Sequence, residues 1–144
     1  MLAESDRATL IEELAKARVG AGLGDAAGLD AHRRSPACGD EVTVRVVLDG
    51  AEIGALRWDG HGCVVSTAAA SALASSAHGL DPAAFRALAD RYLATLGADA
   101  SADPDLGDLE VFAGIGRYPL RAGCASLAWR AALDALGATG PLHS

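Results

Sequence analysis

The run Glu41 to Leu48 alternates apolar and polar side chains, with Val42, Val44, Val46 and Leu48 on one face and Glu41, Thr43 and Arg45 on the other. A period of two marks a half-buried strand. Asp49-Gly50 follows, the dipeptide best suited to a type I′ turn, whose two central residues both need positive φ. The returning strand, Glu52 to Trp58, puts Ile53 and Leu56 out of alternation, so a bulge is expected near Gly54. An antiparallel hairpin over these residues places its two open ends side by side. One end carries Cys38-Gly39-Asp40, the other Gly60-His61-Gly62-Cys63.

The rest of the chain reads as helices around that hairpin. Leu10, Ile11 and Leu14 recur at helical spacing within Ala8 to Val19, and Gly20 to Gly28 then carries four glycines that read as a helix stop and a flexible connection. Leu29 to Arg34 is expected as a short first strand before Ser35-Pro36. A small, apolar run from Val64 to Ala77 forms the next helix and stops at Gly79. Asp81-Pro82 supplies an N-cap and a first-turn proline for a helix to about Leu96, whose Phe85, Leu88, Tyr92 and Leu96 line a core face. A surface loop spans Gly97 to Pro104, Leu106 to Phe112 reads as a short helix, and Gly114-Ile115-Gly116 breaks it. Tyr118-Pro119 opens a last helix to Leu136, with Leu120, Cys124, Leu127 or Ala128, Ala131 and Ala135 on one face. The fold class is α+β: a small antiparallel sheet of about three strands with helices packed on it, in a single domain over residues 1–144.

Charge and hydropathy exclude some functions. Lys and Arg number 12 against 19 Asp and Glu, a net charge of -7, which is the wrong sign for a nucleic-acid footprint. Apolar runs stop well short of the roughly 18 residues of a membrane helix, and the N-terminus lacks a basic region followed by an apolar stretch. Hydrophobic residues at 51% and charged residues at 22% fit a globular, cytoplasmic protein.

The three cysteines, Cys38, Cys63 and Cys124, are an odd number, unlike a disulfide framework. Cys63 stands where a strand ends on glycines and a helix starts, a place that favours the thiolate, the form that attacks electrophiles and binds metals. Taken alone it fits a buried structural cysteine equally well. The hairpin changes the balance: Cys38 and Asp40 flank one glycine, and Cys63 meets them across the strands. Three anionic donors at one sheet end repel unless a cation joins them.

Three motifs in order, Pro36-Ala37-Cys38-Gly39-Asp40-Glu41-Val42, Gly60-His61-Gly62-Cys63-Val64-Val65-Ser66 and Tyr118-Pro119-Leu120-Arg121-Ala122-Gly123-Cys124-Ala125-Ser126-Leu127-Ala128-Trp129, resemble the SufU branch of the IscU/NifU-N family of iron-sulfur cluster assembly proteins. The resemblance covers roughly residues 35–136. The long segment between Cys63 and Cys124 resembles the insertion that sets SufU-type proteins apart from IscU-type scaffolds. It implies a metal site of Cys38, Asp40, Cys63 and Cys124, a donor set that suits tetrahedral zinc. It implies a zinc-dependent acceptor of persulfide sulfur from a SufS-type, PLP-dependent cysteine desulfurase, with delivery to a downstream iron-sulfur assembly scaffold. In that mechanism a desulfurase histidine takes over one zinc position and Cys38 is released as the acceptor. Arg121 matches a family arginine and is expected to steer the partner or the persulfide, or else to be a plain surface arginine.

The chain departs from the family pattern at several places. Gly123 stands where SufU-like proteins have lysine and IscU-like ones a histidine ligand. His61 replaces an acidic or amide residue and is either an alternative ligand, a solvent-facing histidine or one that supports a ligand from behind. Residues 1–28 form a divergent N-terminal helix and glycine-rich connection without an Asp-His-Tyr type motif. His32, His78 and His143 read as ordinary exposed residues. Other readings stay open: an IscU-like scaffold holding iron or an iron-sulfur cluster on the same ligands, a closed structural zinc site, and a stand-alone thiol enzyme using Cys63 with His61 as base.

Overall fold

The computed structural model describes residues 4–35, 39–101, 103–118 and 120–137. In chain order these form α1 (Glu4–Ala17), β1 (Leu29–Arg34), β2 (Glu41–Asp49), β3 (Glu52–His61), α2 (Val64–Ala77), α3 (Pro82–Ala94), a 3-10 segment (Pro104–Phe112), a short 3-10 turn (Ile115–Arg117) and α4 (Arg121–Gly137). The strands make one antiparallel sheet in the order β1-β2-β3. α2 and α4 pack on it and on each other, α1 lies against α2, and α3 lies against α4.

The hairpin forms as its sequence dictates. Val47 pairs with Ala55 and Leu48 with Ile53, so the register passes over Gly54 as a bulge. That shift lets Ile53, Leu56 and Trp58 all face the helices, together with Val42, Val44 and Val46. Leu48 departs from its expected face: next to the turn it is 38% exposed. β3 runs three residues past its expected end at Trp58, and Glu41 pairs with His61. Gly60 permits this, since a Cβ there would collide with the Glu41 carbonyl oxygen and lie 2.8 Å from Val42 Cα.

The glycine-rich stretch after α1 is pinned along β3, contrary to its reading as a flexible connection. Trp58 N–H donates to Gly20 O at 2.9 Å, Gly22 N–H donates to Trp58 O at 2.7 Å, and Trp58 Nε1 donates to Val19 O at 2.7 Å. The segment thereby satisfies the edge that β3 would otherwise expose. α1 also lies earlier than expected, because Arg18 takes a φ of 45° and cannot continue it.

Alanines bring the helices close. On α2, Ala68, Ala69, Ala70 and Ala72 are buried, as are Ala125, Ala128, Ala131 and Ala132 on α4. Trp129 of α4 donates its indole N–H to Ala69 O of α2 at 3.1 Å and stacks on Tyr92 with ring centroids 4.2 Å apart. α3 starts on its predicted cap, with Asp81 accepting from the Ala84 N–H at 2.7 Å. Phe85, Tyr92 and Leu96 are buried and Leu88 is partly buried, as their spacing predicts. α4 begins later than expected, at Arg121. Leu120 precedes it with a φ of 72° and is 55% exposed, so it does not share the buried face of Cys124, Leu127, Ala128, Ala131 and Ala135.

Candidate metal centre

Three elements converge where the hairpin opens. Asp40 enters β2, Cys63 is the N-cap residue of α2, and Cys124 lies in the first turn of α4 with its N–H donating to Leu120 O at 3.1 Å. The donor atoms of these three side chains lie within 4.8 Å of one another. Asp40 and Cys124 are buried, at 6% and 3% exposure, and Cys63 is half-buried. Cys38 lies outside the described residues, as does His143. Ser35 N–H donates to Asp40 O at 2.7 Å and Gly39 N–H donates to Ser35 O at 2.8 Å, with Gly39 at a φ of 75°.

Asp40 is held from two sides. Its Oδ2 accepts the Ser66 hydroxyl at 2.9 Å and the Cys63 N–H at 3.3 Å. Ser66 Oγ also lies 3.1 Å from the Cys63 carbonyl and 3.8 Å from Cys63 Sγ. Arg121 Nη1 approaches Cys63 Sγ at 3.6 Å and brings a positive charge to that sulfur.

His61 points elsewhere. Its Nε2 is 3.0 Å from Glu41 Oε1, and His32 Nε2 is 2.9 Å from the other Glu41 oxygen. The bond to His32, and then that to His61, holds the Glu41 carboxyl below the usual range. His61 is therefore placed as an exposed partner of Glu41, and the Asp40, Cys63 and Cys124 cluster does not include it. His32 belongs to the same clasp, while His78 is exposed at the C-cap of α2.

Two thiolates and a carboxylate at this separation need a cation or protons to coexist. Tetrahedral zinc, with bonds of about 2.0–2.3 Å, sets its donors roughly 3.5–3.8 Å apart, so small side-chain adjustments suffice, and sulfur with carboxylate oxygen is a fitting donor set. Beside the cluster, a groove of about 530 Å³ is lined by Ile11, Val64, Val65, Val111, Ile115 and Arg121, with Arg7 and Arg117 at its walls. Val64 and Tyr118 on the same groove are 46% and 45% exposed.

The family described as "NifU-like N terminal domain" matches residues 15–125, most of the chain, and spans both Asp40 and Cys124. The chain belongs to this family. Among curated relatives, the iron-sulfur cluster assembly scaffold protein IscU of Streptococcus pyogenes is 33% identical over 103 residues, covering 71% of this chain and 65% of that protein, just under two thirds of its length. The zinc-dependent sulfurtransferase SufU of Bacillus subtilis is 31% identical over 98 residues, 67% of each chain. The crystal structure of a candidate SUF-system scaffold protein from Fervidobacterium islandicum superposes with a TM-score of 0.81 over 88% of this chain and 93% of that one, and at 24% identity it speaks for the fold alone. The three-stranded sheet with helices packed on it is the fold of this family.

Sequence reasoning missed Ser66 as a partner of Asp40. It lies in the Gly60 to Ser66 motif, but a serine near a helix start is unremarkable until the strand carrying Asp40 is folded against it. The groove was missed for a related reason, since α1 and the segments around Val111 and Ile115 are far apart in sequence.

Proposed function

We propose that the protein is a zinc-dependent persulfide acceptor in iron-sulfur cluster assembly, partnered with a SufS-type cysteine desulfurase. The observation that carries this is the gathering of Asp40, Cys63 and Cys124 within 4.8 Å at the hairpin opening. Cys38, one residue before Gly39, completes the ligand set. Both curated relatives are named for iron-sulfur assembly or sulfur transfer, and the Bacillus one for zinc dependence. Gly123 offers no side chain where an IscU-type histidine ligand would stand, which favours transfer over scaffolding.

Asp40, Cys63, Cys124 and Cys38 would hold the zinc, which would supply the charge that keeps the thiolates deprotonated and restrained before a partner docks. Cys38 is then the acceptor: its thiolate attacks the terminal sulfur of the desulfurase persulfide, the new S–S bond forms on Cys38, and the desulfurase cysteine leaves as thiolate. Asp40, Cys63 and Cys124 stay as anchors, with the Arg121 guanidinium offsetting negative charge at the Cys63 sulfur. The exposed Val64 and Tyr118 and the arginine-walled groove give a docking face for the desulfurase. Delivery of the sulfur to a downstream scaffold follows.

Anaerobic purification and metal analysis test the reading. A colourless protein with one zinc per chain is expected. A brown protein with acid-labile sulfide and little zinc would instead support the scaffold assignment.

A further inference from the structure

We infer that Ser66 is the positioning residue of the metal centre, holding the Asp40 carboxylate across the hairpin opening in the orientation that cation binding requires. The inference rests on the reading of Asp40 as a ligand. Asp40 stands at the entry of β2 and Ser66 in the first turn of α2, so this one hydrogen bond ties together the two elements that carry Asp40 and Cys63. An aspartate χ2 is a broad, roughly two-fold torsion, and without a fixed donor the carboxylate plane is poorly defined.

A serine in a helix commonly back-bonds to a carbonyl of the preceding turn, and Ser66 Oγ does lie 3.1 Å from Cys63 O. The hydroxyl has one hydrogen to donate, however. Cys63 O already accepts the Thr67 N–H at 3.0 Å, whereas Asp40 Oδ2 is nearer, at 2.9 Å, and charged. The Cys63 N–H contacts that oxygen at 3.3 Å, so of these two donors Ser66 supplies the tighter hold. Packing points the same way: a Cβ on Gly62 would collide with Ser66 Oγ and come within 2.8 Å of Asp40 Cγ. The missing side chain at position 62 is what leaves room for the pair to meet. Partners that orient metal ligands in this manner are worth about 10–100-fold in metal affinity.

The test strips the purified full-length protein of metal and titrates zinc back against a chromophoric chelator. Ser66→Ala is expected to weaken zinc binding at least about tenfold. Ser66→Thr, which keeps the hydroxyl, is expected to stay close to the unsubstituted protein, and its near-isostere Ser66→Val to match the alanine variant. Because threonine and valine are both β-branched, that pair separates the hydroxyl from any general disturbance of α2, should the alanine variant fold poorly. If Ser66 acts through Asp40, Ser66→Ala adds no further loss to Asp40→Ala. Equal affinity in the threonine and valine variants, with Asp40→Ala weakened, overturns the role of Ser66 alone. Unweakened binding by Asp40→Ala overturns the ligand reading itself.

Discussion

At position 62 a hydrogen in place of a methyl group decides whether Asp40, Ser66 and Cys63 can assemble. Gly62→Ala puts a Cβ into Ser66 Oγ and 2.9 Å from Asp40 Oδ2, with little slack because Asp40 is buried. Overpacking of this kind costs about 1–3 kcal/mol. The variant is expected to lose that much in denaturant unfolding and to bind zinc at least about tenfold more weakly; unchanged zinc affinity would show that the cradle tolerates the methyl group and that its tightness is unimportant. At this scale much was legible from sequence. Asp40 and Cys63 could be paired because strand register fixes which residues face each other at a hairpin's open end. Cys124 joined them only through its motif, as no local spacing rule reaches across the 61 positions that separate it from Cys63. Ser66 was illegible because its role depends on a carboxylate brought in by another element.

Among the elements, the hairpin and its bulge were readable because a period of two, a two-residue turn and one break in alternation leave a single consistent register. The ends of α1 and α4 were not, since Arg18 and Leu120 adopt positive φ against their own preference, and that is set by tertiary packing. The glycine-rich stretch misled in the same way: composition signals freedom, while the edge of β3 supplies partners that remove it. α3 and α4 are joined at Tyr92, whose hydroxyl donates to Ala125 O at 2.8 Å beneath the Trp129 ring. Complete burial pushes this phenol well above its ordinary value of 10.0. The sign follows: the fold keeps Tyr92 protonated where the unfolded chain ionises it. Its contribution is therefore full below about pH 10 and declines above it, by up to about 1.4 kcal/mol per pH unit. Tyr92→Phe is expected to cost about 1 kcal/mol at pH 8 from the lost hydrogen bond, and to show a shallower loss of stability between pH 9.5 and 11, measured by urea unfolding across that range. An identical alkaline slope in both proteins would contradict the assignment.

For the molecule as a whole, charge and shape divide the surface. The chain carries a net charge of -7, yet Arg7, Arg117 and Arg121 gather on the groove beside Cys63. Arg7 also braces that groove, donating to Ala113 O at 2.8 Å from α1. Within the described residues no helix is long and apolar enough to cross a membrane. The proposed division of labour is that Asp40, Cys63 and Cys124 anchor, Ser66 orients, and Cys38 leaves the set to take sulfur when a desulfurase docks on this face. The most direct measurement is alanine release from cysteine by the desulfurase encoded in the same genome, with and without the zinc-loaded protein. Stimulation by the intact protein, lost in Cys38→Ser at unchanged far-UV circular dichroism, is the expected result; stimulation by Cys38→Ser equal to that of the intact protein would contradict the account.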